Sequence, residues 1–258
     1  MGEARSRLWK YGITLLILLL IAYQVIEWRD KLASSENALT VYCATGVRAP
    51  VEELAEYFEE KHQQEVIMVY GNSGELAYQI NSRSGGDIFI PGDPTFIENI
   101  TYIERKLLGY QYPVLVLGSD KNRKELLFED LPFHDLDYVL VDLEMAALGE
   151  ATRKVLRSSF LGQDAQKQVR GNVSTASQVP MYVSLGAASA GITWYSNYLP
   201  YHDELIAVEF PSELRLRTPV KATLLSSSKN KKQAEEFLRL LVSSRGKETF
   251  ERYGFVLE

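Results

Sequence analysis

The sequence predicts an α/β protein whose sheets are covered by helices on both faces. Strand-length apolar runs alternate with helix-length amphipathic segments from residue 39 to the end of the chain. Two of those runs break into Gly/Ser-type turns that lead straight into helices, and no internal repeat or low-complexity segment interrupts the alternation. The 258 residues are 46% hydrophobic and 24% charged, which is enough apolar matter to fill one or two domains.

Taken in order, the apolar runs predict strands at Leu39 to Cys43, Glu65 to Tyr70, Asp87 to Pro91, Pro113 to Gly118, Tyr138 to Val141, Ala190 to Trp194, Leu205 to Glu209 and Val220 to Leu225. The 3.6-residue periodicity and end signals predict helices at Pro50 to His62, Gly74 to Asn81, Pro94 to Arg105, Leu148 to Phe160, Ser177 to Leu185, Lys231 to Val242 and Arg245 to Tyr253.

Ahead of these elements, residues 8–28 are an almost unbroken apolar stretch. A helix of that length rises roughly 30 Å, the thickness of a bilayer core. Arg5, Arg7 and Lys10 precede it, and Trp9, Tyr11, Tyr23 and Trp28 mark its ends as an interfacial belt does. The expectation is a single transmembrane anchor with residues 1–7 as a cytoplasmic stub, residues 29–38 as a linker, and the remainder extracytoplasmic. A cleaved secretory signal is disfavoured because Y-Q-V-I-E-W, not a small-x-small site, follows the apolar core. The single cysteine, Cys43, excludes an internal disulfide and reads as a packing residue within a strand.

The net charge is −6, with no basic run beyond K-N-K-K, so nucleic acid is not an expected partner. The three histidines are scattered, and H-E-x-x-H, C-x-x-C and G-x-S-x-G are all missing from the sequence. H-D-L-D (His134 to Asp137) reads as a turn with solvated charges, and Asp87 and Asp93 read as turn caps. No catalysis, metal site or cofactor is expected.

The chemistry-bearing features are the two strand-turn-helix junctions. In V-I-M-V-Y-G-N-S-G-E-L-A-Y-Q-I (Val66 to Ile80), a helix begins at the small residues that end a strand. Its first amides have no intrahelical acceptor, its dipole is positive there, and the Ser73 hydroxyl next to Asn72 adds a side-chain donor. L-T-V-Y-C-A-T-G-V-R-A-P repeats the design at Thr45 and Gly46. Neither junction is a G-x-x-x-x-G-K-[ST] or G-x-G-x-x-G loop, which argues against nucleotides more firmly than it argues for a small anion.

L-T-V-Y-C-A, S-G-E-L-A-Y-Q-I, G-D-I-F-I-P-G-D, S-A-G-I-T-W, T-P-V-K-A-T and F-E-R-Y-G-F-V-L-E, in that order, resemble the molybdate-binding periplasmic proteins of ABC transporters. The resemblance covers nearly everything from Leu39 onward. It implies the two-lobed type II periplasmic-binding-protein architecture with a double hinge, residues 39–112 and 214–258 forming one lobe and 113–213 the other.

It also implies a dehydrated tetrahedral oxyanion as ligand, molybdate or tungstate first and sulfate behind, with an ABC permease and its ATPase as partners. A sensory ectodomain is the alternative. By resemblance the oxyanion ligands are Ser73, Thr45 or Gly46 on the first loop, the amide of Leu148, the region of Thr175 and Ala176, and Trp194 in place of a tyrosine hydroxyl. Tyr195 should face the other way from Trp194. Arg48 has no counterpart in the family site. It either lends a full charge to the ligand or pairs with Glu52 one helical turn on.

Overall fold

The computed structural model describes residue 24 and residues 38–257, apart from 84, 119–125, 134, 160 and 163–167. The expected stub, anchor and linker therefore lie outside the described residues save for residues 24 and 38, as does His134. Among the described residues, no helix is long and apolar enough to cross a membrane.

Two five-stranded sheets carry the fold. The first contains β1 (Leu39–Ala44), β2 (Val66–Gly71), β3 (Ile88–Ile90), β4 (Tyr102–Gln111) and β10 (Thr218–Leu225), in the order β2-β1-β3-β10-β4. Here β1 runs parallel to β2 and β3, while β10 is antiparallel to β3 and β4. The second contains β5 (Pro113–Gly118), β6 (Tyr138–Val141), β7 (Val169–Val173), β8 (Ala190–Trp194) and β9 (Leu205–Glu209), in the order β7-β6-β8-β5-β9. The chain passes between the sheets twice, at Tyr112 between β4 and β5 and along residues 210–217 between β9 and β10.

Helices cover both faces of the first sheet. On one side α1 (Arg48–His62), α6 (Lys231–Leu241) and α7 (Ser244–Arg252) bury Val51, Leu54, Phe58, Phe237 and Phe250 against Val41, Ile88 and Leu224. Phe58 meets Phe237 edge-on at 5.2 Å between ring centroids. On the other, α2 (Ser73–Arg83) sets Leu76 and Ile80 against Phe89 and Leu225. The second sheet packs on α3 (Leu148–Ser158), α4 (Gln178–Ser184) and the single turn α5 (Tyr195–Tyr198) through one continuous core from Val114 to Phe210.

The segment expected as a helix from Pro94 to Arg105 is a correction. It is a short 3-10 turn (Pro94–Ile97), capped by Asp93, which accepts from the Thr95 amide at 2.8 Å and hydroxyl at 2.6 Å. The long strand β4 follows it. Glu104, Arg105 and Lys106 gave β4 a helical charge pattern, yet they belong to an edge strand, where charge deters further pairing. The other edge strand absent from the sequence reading, β7, is short, largely exposed and contains Gly171. Asp87 fastens the first sheet, accepting from the Thr40 amide at 2.8 Å and the Ser228 hydroxyl at 2.6 Å.

Candidate functional site

A small cavity lies where the carboxyl ends of β1, β2 and β3 meet loops of the second sheet. It offers the centre of a water molecule about 20 Å³. That space corresponds to a sphere of roughly 3 Å radius once the radius of water is added back, close to the reach of a tetrahedral XO₄ ion from its centre to its oxygen surface.

One wall comes from the first sheet. At the end of β1, Ala44 is still extended, and the chain then tightens into a 3-10 turn (Thr45–Val47) that runs into α1. Thr45 and Gly46 thus sit on the cavity with amides that precede the first intrahelical acceptor. β2 ends at Gly71, and Asn72 caps α2 by accepting from the Glu75 amide at 2.9 Å.

Ser73 follows, 1% exposed, and its hydroxyl oxygen accepts from the Gly92 amide at 3.1 Å. With Gly92 on its acceptor side, the hydroxyl keeps its proton for another partner. The Gly74 amide donates to the Met145 carbonyl at 3.1 Å and joins the two walls.

The second wall is built from backbone. Asp142 accepts from the amides of Glu144 and Met145 at 2.8 and 2.9 Å, folding the turn that brings Ala146, Ala147 and Leu148 to the cavity as α3 begins. Gln178 accepts from the Thr175 amide at 3.0 Å, one half of a capping box, while the Thr193 hydroxyl donates to the Ala176 carbonyl at 2.8 Å. Trp194, at the end of β8 and 1% exposed, completes this wall. A Cβ on Gly46 would lie 3.2 Å from its ring, so only a very small residue leaves the opposite surface where it is.

Every residue expected at the site lines this cavity except one: Thr45, Gly46, Asn72, Ser73, Leu148, Thr175, Ala176 and Trp194 are all present. Arg48 is the exception. Its guanidinium makes two 3.0 Å hydrogen bonds to Glu52 and lies 4.5 Å over the Tyr70 ring, on a neighbouring surface cleft. The reason is helical spacing, since residues four apart at the start of α1 share a face. The hydrogen bond from Arg48 holds the Glu52 carboxyl below its ordinary range.

Among the described residues the cavity lining carries no charged side chain, and it includes the first residues of the 3-10 turn at Thr45, of α2 at Ser73 and of α3 at Leu148, whose amides have no acceptor within their own helix. A pocket rimmed by helix starts favours an anion. The sequence reading missed Gly92, Ala44 and the Ala146–Ala147 turn. The signal for Gly92 was present, because I-F-I-P-G-D is a third strand ending in small residues on the same edge of the sheet.

Tyr195 turns away from the cavity and stacks on Tyr112 at 5.0 Å, where burial pushes the Tyr112 hydroxyl up to about 12. Asp137, from the acidic H-D-L-D segment, is a structural pin. Hydrogen bonds from Ser189 and then Arg170 hold its carboxyl below the ordinary range. His62 stacks on Phe58 at 4.3 Å, and His202 is exposed.

The family model for bacterial extracellular solute-binding proteins matches residues 39–256. This chain belongs to that family. Its members are binding proteins rather than enzymes. A putative ABC transporter substrate-binding lipoprotein of Bacillus subtilis, YvgL, is 25% identical over 262 residues, covering 96% of this chain and 99% of that protein. A putative binding protein of Haemophilus influenzae is 24% identical, covering 84% of this chain and 90% of its own length. The periplasmic molybdate-binding protein of Azotobacter vinelandii superposes with a TM-score of 0.75 at 18% identity, covering 85% of this chain and 99% of that one. That degree of likeness shows a shared two-lobed α/β fold, on which ligand identity must be argued from the site.

Proposed function

We propose that this protein captures a tetrahedral oxyanion, molybdate or tungstate ahead of sulfate, and delivers it to an ABC importer. The observation that carries the reading is the cavity itself, sized for an XO₄ ion and lined by amides and hydroxyls from both sheets without a charged side chain. Charge-assisted hydrogen bonds contribute about 1.5 to 3 kcal/mol each, so five or six would exceed the cost of stripping water from the ion and support micromolar or tighter binding. The hydroxyl of Ser73 and the indole of Trp194 offer protons, which suits a fully deprotonated ion better than hydrogenphosphate.

In this reading residues 39–112 with 214–258 form one lobe, residues 113–213 form the other, and the two chain passages at Tyr112 and 210–217 act as hinges. The permease and its ATPase are the partners, and residues 8–28 hold the binding unit at the outer face of the cytoplasmic membrane. The likeness to YvgL, a putative ABC transporter substrate-binding lipoprotein, and the fold shared with the Azotobacter protein support the assignment.

The test is calorimetric titration of the full chain in detergent with molybdate, tungstate, sulfate and phosphate. Micromolar or tighter binding of molybdate or tungstate is the expected result. Silence with all four ions overturns the proposal.

A further inference from the structure

Beneath the cavity, wholly within elements of the first sheet, lies a chain of two buried hydrogen bonds. The side-chain amide of Gln111 donates to the Gly92 carbonyl at 2.6 Å, and the Gly92 amide donates to the Ser73 hydroxyl oxygen at 3.1 Å. Gln111 is 1% exposed and does not line the cavity. Only its NH₂ end can meet a carbonyl, and its Oε1 is then left buried without a partner among the described residues. A methionine or leucine would fill the space without stranding an oxygen. The amide is useful here for what its other end does.

We propose that Gln111 is a positioning residue that orients the Gly92 peptide so that the Ser73 hydroxyl acts as a proton donor to the ligand. The inference rests on the oxyanion reading of the cavity. Gln111 grips one side of the Gly92 residue, the Gly92 amide engages a lone pair of Ser73, and the Ser73 proton is thereby turned from Gly92 toward the cavity. The Gly92 carbonyl and the Gly92 amide belong to successive peptide units, so Gln111 acts by fixing the position of the Gly92 backbone and not by polarising the Ser73 donor.

Ser73, Gly92 and Gln111 all belong to the first sheet and its connections, so the relay stands ready before any ligand arrives. Gln111 is the last residue of β4, pairs with Thr218 at the start of β10, and precedes Tyr112, where the chain leaves for the second sheet. The relay therefore joins the ligand seat to the point where both passages between the sheets meet.

The consequence is a selectivity rule. With its acceptor side engaged, Ser73 favours a fully deprotonated oxygen over one that carries a proton. Releasing Gly92 returns an acceptor to the cavity and narrows the difference between sulfate and hydrogenphosphate, two dianions of similar size.

The experiment is a double-mutant cycle on the full chain, using Gln111→Met, Ser73→Ala and the pair, with molybdate titration and amide hydrogen exchange at Gly92. Gln111→Met should weaken molybdate binding about fivefold or more when Ser73 is present and leave affinity unchanged in the Ser73→Ala background. Exchange at Gly92 should quicken about tenfold in Gln111→Met. A gain of phosphate binding relative to sulfate would add support. Losses that simply add, or a Gly92 amide equally protected in both proteins, overturn the relay.

If the unaltered protein binds none of the four oxyanions, the proposed function fails while Gly92 exchange still decides the hydrogen-bond chain. Should Gln111→Met not fold, Gln111→Leu, which has no donor, takes its place under the same criteria.

Discussion

The two walls of the cavity are built differently. The wall from the first sheet presents a hydroxyl, glycines and helix starts held by hydrogen bonds among Asn72, Ser73, Gly92 and Gln111. The wall from the second sheet presents backbone and an indole, held by apolar packing around Leu148 and Trp194 and by side chains, Asp142 and Gln178, that fasten its turns from behind. In the first wall a side chain can be removed and the seat remains. In the second, apart from the Trp194 indole, the donors belong to the turns, so removing one of them means refolding a turn.

This contrast predicts that second-wall variants lose stability and first-wall variants lose binding. The largest effect is expected from Trp194→Ala, which empties a fully buried site at the end of β8. It should cost about 3 to 5 kcal/mol in urea unfolding, whereas Trp194→Phe should keep most of the stability and lose only the indole donor. Equal stability of the alanine variant would break the comparison.

Gly92→Ala comes next. Its Cβ would stand 2.8 Å from the Ala147 Cβ across the cavity, so affinity should fall about tenfold to a hundredfold in calorimetry as the two walls are pushed apart. Ser73→Ala should weaken oxyanion binding by about 1 to 3 kcal/mol in calorimetry and, by leaving the buried Gly92 amide without its acceptor, lower stability in urea unfolding by about 1 kcal/mol, less than Trp194→Ala.

Asp137→Asn sharpens the comparison through pH, far from the cavity. Ser189 and Arg170 depress the folded-state pKa of Asp137, so its contribution is present above the unfolded value near pH 4 and is lost as pH falls through the lower folded value. The variant should be about 1 to 2 kcal/mol less stable at pH 7 and should lose less stability on acidification than the wild type, as followed by thermal unfolding. The smallest effect belongs to Arg48→Ala. With its charge paired to Glu52 outside the cavity, affinity should move by no more than about 0.5 kcal/mol. A larger loss would bring Arg48 back to the site.

Legibility in the sequence followed the same division. Central strands, buried on both faces, announce themselves as unbroken apolar runs, and β5, β6 and β8 begin and end where those runs do. The two unanticipated strands, β4 and β7, are edges, where one side of the strand needs no partner and polar residues are tolerated. In the site, Ser73 was legible as a side chain at a strand-turn-helix junction. Leu148 and Ala176 carry no chemical signature of their own, because what they offer is a peptide N–H, and only the family resemblance pointed to them.

The order of residues alone determined that strands end in small polar turns which open helices with unsatisfied amides, since that depends only on local backbone preferences and on the first turn of any helix lacking acceptors. Tertiary structure decided which of those ends face one another. Cavity size, the tie between Gly74 and Met145 and the burial of Gln111 behind Gly92 all come from contacts between segments whose arrangement the local pattern leaves open. Local sequence sets where a donor is; packing sets what it points toward.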